Sequence, residues 1–150
     1  MNIEFSNATD SPEAFFNMLP DDWKILIVPY WDNYKDAVKI YILKEGHEVV
    51  TGGLVFSKSL PDMSDFERSL QHLFSEGYLY IGFIWVPENK RNRQLASQWL
   101  TLLKNQDPNQ KYWLTIEEQP LKYFYEKNGF KLIKESNKAE DKEWLYTYER

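Results

Sequence analysis

Ile84-Trp85-Val86-Pro87-Glu88-Asn89-Lys90-Arg91-Asn92-Arg93-Gln94-Leu95-Ala96-Ser97 joins a charge-free run to an amphipathic one through a short basic loop. Upstream, Tyr78 to Val86 contains no charged residue, which suits a central strand buried on both faces. Pro87 ends it. Downstream, Leu95, Trp99, Leu102 and Leu103 recur at helical spacing and predict a helix ending near Asn105. The first N–H groups of a helix have no internal partner, and the macrodipole places partial positive charge there. Such an end binds phosphate readily. Lys90, Arg91 and Arg93 add three positive charges at that spot, in a chain that is acidic elsewhere. On charge alone a solvated basic turn is the better explanation of the cluster.

Working outward, Gly82 inside the strand predicts a bulge or a close backbone approach. Before the strand, Ser64-Asp65-Phe66-Glu67 has the form of a capping box, and Phe66, Leu70, Leu73 and Phe74 follow at helical spacing. One helix is therefore expected from Ser64 to Glu76, ended by Gly77. Val38 to Leu43 and Val49 to Phe56 read as strands around Lys44-Glu45-Gly46-His47, a β-hairpin signal. Nearer the start, Pro12 to Leu19 reads as a helix with Ser11 as N-cap. Trp23 to Val28 is an apolar run of undecided type, stopped by Pro29. After the long helix come a strand at Tyr112 to Ile116, a helix at Pro120 to Asn128, and strands at Phe130 to Ile133 and Trp144 to Tyr148. Strands interleaved with helices in this order predict a mixed α/β sheet. The chain lacks repeats and Gly/Ser linkers, so one domain over residues 1–150 is expected.

Composition narrows the chemistry. With 43% hydrophobic and 27% charged residues, the 150-residue chain is globular in type. There is no cysteine, which removes disulfides and a thiol nucleophile, and the two histidines, His47 and His72, lack metal-ligand spacing. No metal is expected. The net charge of −5 disfavours nucleic acid. No uncharged run approaches the ~18 residues of a membrane span, and the start carries no signal-peptide pattern. The expectation is a cytoplasmic protein without a membrane partner.

A second block lies about thirty residues on. Leu121-Lys122-Tyr123-Phe124-Tyr125-Glu126-Lys127-Asn128-Gly129-Phe130 begins after Pro120, which starts the helix, and Gly129 supplies the left-handed position that ends it. Together the two blocks resemble the signatures of the GNAT (GCN5-related) N-acetyltransferases. The first is similar to a strand ending Val-x-Pro-Glu followed by Arg/Gln-x-x-Gly-x-Gly/Ala; the second to Phe/Leu-Tyr-x-Lys/Arg-x-Gly-Phe. Val86-Pro87-Glu88 lacks the intervening residue, Gln94 stands where the family usually carries glycine, and Asn92 stands where another glycine is common.

The resemblance implies the GNAT fold: α/β (α+β), with a mixed, mostly antiparallel central sheet flanked by helices and splayed fourth and fifth strands. It implies acetyl-CoA as co-substrate, direct attack by a primary amine of a small molecule or protein, and a homodimer as one open assembly. For the cofactor it implies Ile84, Trp85, Val86, Arg91, Asn92, Arg93, Gln94, Leu95, Ala96 and Ser97, with the Ile84 N–H facing the developing oxyanion. It implies Tyr125 as general acid. Glu117 is the candidate base, and Glu118 stands where the family often has a cofactor-contacting asparagine. The alternative reading keeps the fold and acyl-CoA binding without turnover.

Overall fold

In the computed structural model, which describes residues 2–60 and 63–150, seven strands alternate with short helices. The strands are β1 (Ile3–Asn7), β2 (Val38–Glu45), β3 (Glu48–Phe56), β4 (Tyr78–Trp85), β5 (Lys111–Ile116), β6 (Lys131–Glu135) and β7 (Trp144–Tyr148). The helices are α1 (Glu13–Phe16), α2 (Asp21–Ile27), α3 (Trp31–Tyr34), α4 (Asp65–Arg68), α5 (His72–Ser75), α6 (Leu95–Gln106) and α7 (Pro120–Lys127). The sheet order is β1-β2-β3-β4-β5-β7-β6. Pairing of β1 with β2, β2 with β3, β5 with β7 and β6 with β7 is antiparallel, and β4 runs parallel to β5. The interleaved pattern predicts a mixed α/β sheet, and a mostly antiparallel one is what the resemblance implies; both are present. The backbone forms two compact units, Met1–Phe56 with Ile81–Gln106 and Ser57–Tyr80 with Asp107–Arg150.

In the first unit, the β2–β3 hairpin turns at Gly46, whose φ of +65° is left-handed and suits glycine. A bulge between Leu43 and Lys44 shifts the register beside that turn. Gly52 and Gly53 set how closely the helices approach β3. A Cβ on Gly53 would lie 2.8 Å from the Trp99 ring, and one on Gly52 would lie 2.7 Å from Phe15. Trp99, fully buried on α6, donates its indole N–H to the Tyr41 carbonyl at 2.9 Å. Leu95, Leu100 and Leu103 are buried with Trp99 on α6, whereas Leu102, counted in the expected stripe, is only half-buried.

In the second unit, β5, β7 and β6 form a three-stranded ladder, and Tyr78, Leu79 and Tyr80 of β4 pair with Lys111, Tyr112 and Trp113. The core here is aromatic. Trp113 and Tyr146 are fully buried, and Tyr80 lies 4.7 Å from Trp113 between ring centroids.

Several local expectations change. The helix expected from Ser64 to Glu76 is two short helices. Ser69 returns its hydroxyl to the Phe66 carbonyl at 2.5 Å, and the bonds around it are of the i→i+3 type. Serine competes with the helix backbone in this way. Ser11 does not cap α1; Pro12 is the N-cap and provides no side-chain bond. The undecided Trp23–Val28 run is helical as α2, and β1 and α3 were not legible in the pattern.

Candidate functional site

The basic loop is built from β4 outward. Thr51, fully buried on β3, donates its hydroxyl to the Trp85 carbonyl at 2.6 Å and so anchors the last residue of the strand. A single 3-10 turn, Glu88–Lys90, follows Pro87. Asn92 and Gln94 then adopt φ of +67° and +59°. The resembled motif carries glycine at the position of Gln94 and often at that of Asn92, so the backbone takes a glycine-type course without glycine. Asparagine tolerates that region; for glutamine it costs roughly 1–2 kcal/mol. In β4 the left-handed residue is not the glycine that the sequence singles out but its neighbour, Phe83, with a φ of +58°.

Leu95 opens α6 with its side chain buried, so only its backbone is available to a ligand. Ala96 and Ser97 complete the first helical turn. The three cations are not equivalent. Lys90 Nζ meets Glu48 Oε1 at 2.9 Å, and Arg93 pairs with Glu45. Both acids belong to the β2–β3 hairpin and neutralise two of the three charges expected to be free. Arg91 donates its Nε–H to the Val86 carbonyl at 3.0 Å, and its guanidinium lies 4.9 Å from the Trp85 ring centroid. Its terminal nitrogens have no acidic partner among the described residues. A guanidinium pinned at one end and open at the other is prearranged for a phosphate.

In the second unit, Tyr125 of α7 is nine-tenths buried and packs edge-on to Phe124 and Phe130. Its hydroxyl makes no hydrogen bond among the described residues. Trp113 Nε1 is a fully enclosed side-chain polar atom without a hydrogen-bond partner among them. Burial pushes its pKa to about 12, above the ~10 of a free phenol.

Tyr125 is an electrostatic neighbour of Tyr80, whose hydroxyl donates to Glu67 Oε2 at 3.0 Å. Thr115 donates to the same oxygen at 2.6 Å, while Glu67 Oε1 accepts from the Ser64 N–H at 3.1 Å. The capping box read from sequence is therefore real, and its glutamate does a second job that local spacing could not show. Burial raises the Tyr80 pKa well above its ordinary value, and the Glu67 charge raises it further.

Glu117 is exposed just past β5. Partial burial raises its pKa, and Glu143, Glu67 and Asp141 raise it further against Lys138. Glu143 is itself buried, held by Ser64 Oγ at 2.6 Å and Lys138 Nζ at 3.0 Å. Glu118 is exposed, with no contact that assigns it a role. Among the described residues no group of three His, Asp or Glu side chains is arranged to hold a metal, and no helix is long and apolar enough to cross a membrane.

No protein-family model and no curated protein matches the sequence. Solved structures do match in fold. A GNAT family acetyltransferase from Elizabethkingia anophelis with acetyl-CoA bound is 18% identical, with a TM-score of 0.63 over 99% of each chain. An acetyltransferase from Thermus thermophilus is 11% identical, with a TM-score of 0.65 over 100% of this chain and 98% of its own. A PaiA N-acetyltransferase from Thermoplasma acidophilum in complex with coenzyme A is 9% identical, with a TM-score of 0.62 over the whole of both.

Proposed function

From the fold of the GNAT acetyltransferases, which this chain carries, we infer that it transfers an acetyl group from acetyl-CoA to a primary amine. One observation carries the reading. The loop before α6 follows a glycine-type path at Asn92 and Gln94 and leaves Arg91, beside a helix N-terminus, without an acidic partner among the described residues. That combination suits a pyrophosphate.

The thioester of acetyl-CoA supplies an activated acyl carbon. The chain's own groups do the rest. The Ile84 N–H donates to the carbonyl oxygen as it gains charge, and Val86 backbone groups bind the pantetheine amide. Tyr125 gives its proton to the departing thiolate. A phenol at about 12 is a weak donor, yet the same burial raises the pKa of a thiol beside it, so the gap between the two widens by less than the shift of the phenol alone. Glu117, exposed and kept in a negative field, takes the proton of the incoming ammonium.

The pKa of Tyr125 also favours a second reading, an acyl-CoA-binding protein without turnover. Assaying CoA release against a panel of amines divides the two. Amine-dependent release supports transfer; tight binding without release leaves only the second.

A further inference from the structure

We propose that Trp23 is a positioning residue that holds the left-handed turn at Phe83 and thereby sets the direction of the Ile84 N–H; the inference rests on the acyl-transfer reading. A bulky aromatic residue at a φ of +58° is out of place. Such a conformation persists only where its surroundings over-determine it.

Here the surroundings are rings. Trp23, from α2, meets Phe83 edge-on at 5.7 Å and 85°, and meets Trp85 at 5.3 Å and 67°. Phe56 of β3 adds a second ring contact to Phe83 at 6.2 Å. One indole thus grips the residues on either side of Ile84. The Ile84 side chain is directed elsewhere, with its Cγ1 3.1 Å from where a Cβ on Gly53 would stand, among the atoms of Trp99. With Phe83 and Trp85 fixed by the same ring, the intervening peptide plane loses its freedom to rotate. Trp85 also carries Arg91 over its ring at 4.9 Å, so the grip extends to the loop. Trp23 is only half-buried, which leaves the contact with Phe83 and Trp85 as its main distinguishing feature.

The test uses Trp23→Ala, Trp23→Leu and Trp23→Phe in the full chain, read by the backbone NMR shifts of Phe83 and by kinetics. In the Ala and Leu variants, Phe83 should lose its left-handed signature. Turnover should fall by about 10²-fold, the loss expected when one oxyanion donor is misplaced, with the Kd for acetyl-CoA within about threefold of wild type. Trp23→Phe should retain both. Should Trp23→Ala not fold, Trp23→Leu carries the comparison. A left-handed Phe83 in Trp23→Leu, or a Phe variant as impaired as the Ala variant, overturns the proposal. Absence of amine-dependent turnover in the wild type would instead overturn the acyl-transfer reading, and the shifts of Phe83 still decide the role of Trp23.

Discussion

The rings of Tyr125 and Tyr146 lie 6.5 Å apart, and only the Tyr146 hydroxyl is engaged, donating to Glu126 Oε2 at 2.8 Å. Both phenols are pushed up to about 12. They differ in what holds them, and that difference separates a reactive group from a structural one. Tyr146→Phe should cost about 1 kcal/mol of stability, the worth of a typical hydrogen bond, and leave turnover unchanged. Tyr125→Phe should leave the thermal midpoint nearly unchanged and lower kcat by about 10²-fold or more, with acetyl-CoA affinity intact. Equal loss of binding and turnover would remove Tyr125 from the chemistry.

Gln94 is held in the left-handed region at a φ of +59°. Replacing it by glycine removes roughly 1–2 kcal/mol of steric cost and returns about 0.5–1 kcal/mol through the freer unfolded chain. Gln94→Gly should therefore stabilise by about 0.5–1 kcal/mol in urea unfolding. Asn92→Gly should change little, because asparagine already tolerates the region. Destabilisation by Gln94→Gly would show that its side chain does more than occupy the position.

The cations of the loop should contribute unequally. Lys90 and Arg93 already face Glu48 and Glu45, whereas Arg91 has no acidic partner among the described residues. Arg91→Gln should weaken acetyl-CoA binding at least tenfold, about 1.4 kcal/mol, which is modest for a charge-assisted contact. Lys90→Gln should cost less than about threefold. The reverse ranking in calorimetry would mean that the hairpin acids release their partners to the ligand.

Glu117 has its pKa raised by burial and by Glu143, Glu67 and Asp141. A raised folded-state pKa means that the folded chain prefers the protonated acid. The associated stability is present below the ordinary value of 4.5 and is lost as pH rises through the folded pKa. Glu117→Gln should thus raise the Tm near neutral pH, leave it nearly unchanged at about pH 4, and lower activity. The acid limb of the kcat/KM profile should lie above 4.5 in the wild type. A stability change of the same size at both pH values would contradict this assignment.

The strand–loop–helix unit was legible because proline, charge and the helical period all act within a few residues. The left-handed course at Asn92 and Gln94 was not, because neither residue advertises it as glycine would. Gly82 draws attention to a backbone irregularity, yet the left-handed φ falls on Phe83 instead. The partners of Lys90 and Arg93 come from a hairpin 42 and 48 residues away in sequence, beyond any local pattern. In the sequence Glu67 reads as a capping residue alone, and its bonds to Tyr80 and Thr115 arise only when β4 and β5 are laid side by side.

If the segment from Ile84 to Ser97 holds acetyl-CoA, calorimetric titration of the wild-type chain with that ligand will register it. Saturable binding with one site per chain and a Kd between about 1 μM and 1 mM, the usual span for enzyme substrates, is the predicted result. No saturable heat below about 1 mM would contradict it.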